Sequence, residues 1–200
     1  MRLLIKGLGC DGGLQCVSSL NESTLDAAML GSSSHIVVRR GRPTDAKVLS
    51  EIFRDSWRLA YAGIIPHQHL EAMIARRGPK WWANTVRSRE SLLVLSVSRE
   101  IAGYATIGLS RTRGRIGKAE GEIYEIYLSP VHQGIGLGEH LFEACRHTLE
   151  MRGHAGLIVW SLAENTGALD FYWRRGGRPV AETSELIGGA KLKKVAYEWT

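Results

Sequence analysis

Apolar positions change period several times along the chain, and each change marks an element. Residues 35–40 form a short apolar strand; Pro43-Thr44-Asp45 then opens a helix with Val48, Leu49, Ile52, Phe53, Trp57 and Ala60 at helical spacing. That helix breaks at Gly63 and Pro66. A second helical stretch covers residues 67–74, and a third holds Trp81, Trp82 and Val86. The period then shortens to that of strands over residues 92–98 and 101–109, read as a hairpin turning at Arg99-Glu100. A basic loop, residues 110–118, leads to a strand over 120–128 that Pro130 stops. Leu137, Leu141, Cys145 and Leu149 mark the next helix, followed by a buried strand from Leu157 to Trp160. A short helix from Ala168 closes at Gly176-Gly177, and strands over 180–186 and 191–199 finish the chain. The order β, α, α, β, β, β, α, β, α, β, β predicts a mixed α/β sheet with helices on its faces.

Between the 120–128 strand and the next helix lies Gln133-Gly134-Ile135-Gly136-Leu137-Gly138-Glu139. Three glycines keep Cβ atoms off a ligand, and the first helical turn offers N–H groups without intrahelical partners at the positive end of the dipole. This is a phosphate-binding arrangement. The spacing Q-x-x-G-x-G lacks the lysine of an NTPase loop. It also lacks the G-x-G-x-x-G and the acidic residue some 20 positions on that a dinucleotide fold requires.

Composition narrows the classes. With 44% apolar and 23% charged residues in 200, the chain reads as one soluble domain, and no apolar run approaches the ~20 residues of a membrane span. Residues 1–34 are rich in Gly and Ser without sustained period and read as a poorly ordered extension before a domain over 35–200; Met29 is a candidate start. No secretory apolar segment is evident at the N-terminus, which points to a cytoplasmic protein. The three cysteines (Cys10, Cys16, Cys145) fall at no metal-ligand spacing, so neither a metal nor a disulfide is expected. The net charge of +6 is scattered in short clusters, which favours a polyanionic small molecule over nucleic acid.

Residues 35–199 resemble the GNAT superfamily of N-acetyltransferases, which move an acetyl group from acetyl-coenzyme A to an amine. The segment from Glu122 to Pro130 followed by Gln133-x-x-Gly136-x-Gly138 is similar to the family's coenzyme-binding motif. The stretch from Asn165 to Gly176, N-x-x-A-x-x-F-Y-x-x-x-G, resembles its second motif. Ser56 to Pro66 resembles the paired helices over the acceptor site. Gly177 departs from the pattern, because the family usually carries an aromatic or large apolar residue there. The resemblance implies a mostly antiparallel central sheet with helices on both faces. It also implies acetyl-CoA as co-substrate, an amine acceptor of unidentified structure and no metal. A homodimer is one assembly it allows.

Carried over residue by residue, it implies Glu122 as first candidate for general base and Glu125 as second; by the period of two these lie on opposite strand faces, so one alone faces a given cleft. Tyr127 and Leu128 would lie against the pantetheine arm, with a free N–H near Leu128 polarising the thioester carbonyl. Gln133, Gly134, Ile135, Gly136, Leu137, Gly138 and Glu139 would hold the pyrophosphate. Asn165 would bind cofactor or cap its helix, and Tyr172 would bind cofactor and protonate the leaving sulfur. Trp57, Tyr61, Ile65 and Tyr124 would line the acceptor side, although aromatics at helical spacing also serve as plain core. His140 and His147 read as solvated, and the Trp81-Trp82 pair as packing. The competing classes are a non-catalytic acyl-CoA sensor, which would need none of Glu122, Asn165 and Tyr172 as proton carriers, and a nucleic-acid binder, supported by charge alone.

Overall fold

The computed structural model describes residues 35–88 and 91–200, so the extension expected over 1–34, with Cys10 and Cys16, lies outside the described residues. In chain order the elements are β1 (Ile36–Arg40), α1 (Ala46–Tyr61), α2 (His67–Ala75), α3 (Pro79–Ser88), β2 (Leu92–Val97), β3 (Glu100–Leu109) and β4 (Gly121–Leu128). They continue with α4 (Leu137–Met151), β5 (Leu157–Leu162), α5 (Thr166–Arg174), β6 (Arg178–Ile187) and β7 (Ala190–Trp199). Three helices separate the first two strands, matching the three helical stretches read between residues 43 and 88, of which the summary order counted two. The β2–β3 hairpin turns one residue earlier than expected, at Ser98 and Arg99. Both have positive φ (49° and 77°), as a tight two-residue hairpin loop requires.

Among the described residues the strands form one seven-stranded sheet in the order β1-β2-β3-β4-β5-β7-β6. Every pairing is antiparallel except β4 with β5. The sheet is covered on both faces, and β2 makes the division plain. Leu93 and Leu95 belong to a core shared with Leu137, Leu141, Phe142, Cys145 and Leu149 of α4. Leu92 and Val94 belong to a second core with Leu49, Phe53 and Trp57 of α1 and Trp82 of α3. Side chains of a strand alternate between faces, so a nearly continuous apolar run is what a doubly covered strand needs. Each fully buried large apolar side chain contributes roughly 1.5–3 kcal/mol. Trp82 and Cys145 are wholly buried, as the packing readings of both expected, whereas Trp81 remains partly exposed.

An ion pair fixes the chain between β1 and α1. The Arg39 guanidinium donates to both Asp45 carboxylate oxygens at 2.8 and 2.9 Å, and the Arg42 N–H donates to the same carboxylate at 2.7 Å. Burial works against the charged Asp45 carboxyl, but these donors outweigh it and hold it below the ordinary aspartate range.

One irregularity matters for the site. Thr106 of β3 pairs with Glu125 while Ile107 pairs with Ile123, so Tyr124 is an extra residue bulged out of β4. Paired residues share a face. Thr106 and Ile107 are on opposite faces, hence Glu125 is opposite Ile123 and on the same face as Glu122, the partner of Gly108. The expectation that strict alternation separates the two carboxylates is therefore corrected: the bulge puts both on the face covered by α1–α3.

Candidate active site

β4 and β5 pair only from Gly121–Ile123 to Leu157–Val159, although β4 runs to Leu128 and β5 to Leu162. Beyond residue 123 the two strands part, and a cleft of about 900 Å³ opens between them. The Ser129 N–H donates to Ala102 of β3 at 2.8 Å, so strand alternation turns the backbone of Tyr127 to β3 and that of Ile126 and Leu128 to the opening. Leu128 fits: its carbonyl accepts from the Ser56 hydroxyl at 2.8 Å and from the Gln133 amide at 3.1 Å. With β5 gone, α1 and the glycine turn supply the strand's missing partners.

The far wall is the N-terminus of α4. No side chain caps it; the Glu139 N–H turns back to the Gly136 carbonyl at 3.0 Å, which leaves the Leu137 and Gly138 N–H groups of the first turn without an intrahelical acceptor. Gly134 and Gly136 have φ of 78° and 86°, and a Cβ on either would meet nothing within 4 Å. The glycines are thus required by conformation, and the space before them is open for a ligand. These features fit a diphosphate, which needs donors, a positive dipole end and close backbone approach. Of the remaining turn residues, Gly138 and Glu139 line the cleft, Ile135 is exposed and Leu137 is buried in the core.

Asn165 begins α5, where its side chain accepts from the Ala168 N–H at 3.3 Å, and it also lines the cleft. The helix-capping role is thus observed, on a residue that borders the cleft. Tyr172, one face of α5 further on, reaches the cleft from a bed of Phe171, Tyr197 and Trp199 rings, and burial pushes its phenol up. Arg174 and Arg175 share that wall, with Arg175 stacked 3.7 Å over Phe171. Sequence reasoning passed over both, although arginines in the last turn of a helix beside an anion site are a legible signal.

On the α1–α3 face, Glu122 is almost wholly buried and accepts the Arg111 N–H at 2.7 Å. Burial pushes its carboxyl up, while the Arg111 N–H and the charges of Arg111 and Lys194 oppose the shift. The Tyr124 hydroxyl donates to the Leu109 carbonyl at 2.7 Å, and the Arg111 guanidinium lies 4.0 Å over its ring. Glu125 forms an ion pair with Arg77, which is stacked over Phe53 and Trp81 at 4.8 Å each. The Tyr61 and Tyr127 hydroxyls are 2.9 Å apart. Trp57 and Ile65 are buried in the core, and the α1 residues that line the cleft are Ser56, Leu59 and Ala60. Ser56 was legible as the one hydroxyl on an otherwise apolar stripe. His140 and His147 are exposed, and no group of residues suited to hold a metal occurs among the described residues.

The departure at Gly177 has a structural partner. A Cβ there would fall 2.5 Å from the Trp199 indole, whose N–H donates to the Arg175 carbonyl at 2.8 Å. The ring from the end of β7 fills the place beside α5 where a side chain at 177 would pack.

Residues 48–177 match the acetyltransferase (GNAT) family, and the chain belongs to it: the fold and cleft are those of an acyltransferase. Among curated relatives it is 28% identical over 165 residues to the uncharacterized N-acetyltransferase YuaI of Bacillus subtilis, covering 82% of this chain and 92% of that protein. It is 25% identical over 143 residues to the spermidine N(1)-acetyltransferase of Thermoplasma acidophilum, covering 70% and 87%. The solved PaiA N-acetyltransferase from Thermoplasma acidophilum, in complex with coenzyme A, superposes with a TM-score of 0.64 at 18% identity, covering 82% of this chain and 99% of that one. No helix among the described residues is long and apolar enough to cross a membrane.

Proposed function

We propose that the protein transfers the acetyl group of acetyl-coenzyme A to an amine by direct attack in a ternary complex. The observation that carries this reading is the parting of β4 from β5 beside an uncapped, glycine-led helix N-terminus. Gln133 to Glu139 hold the pyrophosphate, and the pantetheine arm runs along the opened edge of β4. There the arm takes the place of the missing β5 against the Ile126 and Leu128 backbone, and an N–H of that edge polarises the thioester carbonyl. The pairing of coenzyme A with the structurally similar PaiA supports the same ligand class here.

An amine with a pKa near about 10.4 arrives mostly protonated, so a carboxylate on the β4 face must take its proton. Glu122 is the first candidate, because burial has already moved it toward the range where a base works at neutral pH; Glu125 is the second. Attack forms the N–C bond and an oxyanion. Collapse breaks the C–S bond, and Tyr172 protonates the departing sulfur. Burial raises the phenol, but a thiolate desolvated beside it is raised too, so the transfer stays feasible.

The test is thiol release from acetyl-CoA across a panel of amines, which starts with polyamines because of the archaeal relative's substrate. Turnover with at least one amine is expected, and Tyr172→Phe should slow it while acetyl-CoA still raises the melting temperature. Thermal stabilisation without turnover by any amine would leave only a binding domain.

A further inference from the structure

Coenzyme A is negatively charged at two places, the diphosphate and a phosphate on the 3′ oxygen of its ribose. The free Leu137 and Gly138 amides at the start of α4 answer the first with neutral donors. The second is a phosphomonoester with about two negative charges at neutral pH, and such a group calls for a cation. Among the described residues that line the cleft, the only cations are Arg174 and Arg175, at the end of α5.

Arg175 is held in a defined place. Its guanidinium lies 3.7 Å over the Phe171 ring, and its Nη1 donates to the Phe171 carbonyl at 3.2 Å. The edge of the same ring comes so near Gly138 that a Cβ there would stand 3.0 Å from Phe171 Cε2. One aromatic ring thus touches both the guanidinium and the backbone of a free amide in the diphosphate cradle. In the cofactor, a single ribose separates the two phosphate groups. Arg174, mostly exposed and paired with Asp170 on its own helix, adds positive charge at the same end.

The other terminal nitrogen, Arg175 Nη2, faces a Glu139 carboxylate oxygen 3.4 Å away. Glu139 is an odd residue for an anion cradle. It stands in the first turn of α4 and lines the cleft, so its charge occupies the positive end of the helix where phosphates must come. The two partners differ in freedom: the Arg175 side chain is 19% exposed and fixed by Phe171, whereas that of Glu139 is 64% exposed. A long contact to a mobile carboxylate is readily exchanged for a phosphate oxygen, and the guanidinium has already lost the freedom that binding would cost it.

We propose that Arg175 receives the 3′-phosphate of the coenzyme and that Glu139 is a built-in competitor, which holds the guanidinium until the phosphate takes its place. This rests on the acetyl-CoA reading and adds which form of the cofactor is selected: the 3′-phosphorylated coenzyme over the same molecule without that phosphate.

The experiment is titration calorimetry of the full chain with coenzyme A and with 3′-dephospho-coenzyme A. The wild type should bind coenzyme A about 10- to 100-fold more tightly, the scale of one hydrogen bond between charged groups. Arg175→Met, which keeps an apolar stem on Phe171, should bind coenzyme A as weakly as the dephosphorylated ligand, whose own affinity stays at the wild-type level. Glu139→Gln should tighten coenzyme A by about 2- to 5-fold, the scale of an exposed ion pair, and more than it tightens the dephosphorylated ligand. A pair that merely braces α4 against α5 would give the opposite sign, so weaker coenzyme A binding in Glu139→Gln would overturn the competitor. Equal wild-type affinity for the two ligands, or loss of both alike in Arg175→Met, would overturn the phosphate assignment and leave the acetyl-CoA reading in place. Should Arg175→Met not fold, the wild-type comparison and Glu139→Gln decide. Binding of neither ligand by the wild type would remove the cofactor reading and this assignment together.

Discussion

The Trp199 indole occupies the space that a side chain at Gly177 would need: the missing Cβ would lie 2.5 Å from the ring. The ring also touches Phe142 of α4 and Tyr172 of α5, with centroids 5.0 and 5.9 Å away. The chain thus supplies from β7 the aromatic wedge that the family pattern puts directly after the second motif. Gly177→Phe should destabilise the fold by about 1–3 kcal/mol through overpacking, and Trp199→Ala by about 3–5 kcal/mol through the cavity it leaves. Combined, the two changes should recover part of the loss. Urea unfolding of the four proteins measures the coupling, and strictly additive losses would show that the two positions do not share a site.

Gly136 lies at φ 86° with open cleft in front of it. Gly136→Val should lower apo stability by about 1–2 kcal/mol, the cost of a left-handed conformation for a residue with a Cβ. It should also abolish the rise in Tm that acetyl-CoA produces, since the added methyls enter the phosphate space. Thermal melts with and without acetyl-CoA separate the effects, and retained ligand stabilisation would contradict the phosphate cradle.

Burial raises the Glu122 carboxyl, so its ionised form is disfavoured in the folded protein. Its contribution to stability is full below the unfolded-state value near about 4.3 and is lost as pH rises through the raised folded value. Glu122→Gln should therefore match the wild type in acid and become the more stable protein as pH rises toward neutrality. If Glu122 is the base, kcat/KM should climb with pH through that same raised value, and the limb should vanish in the variant. Melting curves and pH–rate profiles on both proteins check the two statements separately.

Asp45 behaves in the opposite sense. Its folded pKa is depressed by Arg39 and the Arg42 N–H, so its contribution is present above the unfolded value near about 3.9 and is lost as pH falls through the folded value. Asp45→Asn should cost about 1–3 kcal/mol at neutral pH, because it removes a bidentate partner from Arg39. The difference from wild type should shrink below that pH range in acid urea titrations. A constant gap across pH would mean that the charge contributes nothing.

The sequence by itself determined the element types, nearly all their bounds and the glycine turn before α4, because these depend on local facts. Helical period, strand period, and glycine where φ must be positive are written within a few residues of one another. It also marked Asn165 and Tyr172 through one motif on one helix. What it could not carry was anything that depends on register or on contacts distant along the chain. The bulge at Tyr124, which turns Glu122 and Glu125 to one face, is set by how β4 pairs with β3 and leaves no trace in β4's own pattern. The Tyr61–Tyr127 hydroxyl pair, the seat of Arg77 between Phe53 and Trp81, and Trp199 over Gly177 join residues far apart in sequence. Only the closing of the sheet and the laying of α1–α3 on one face and α4–α5 on the other brought them into contact. Side-chain alternation is a local rule, and one extra residue in a strand reverses it for everything beyond.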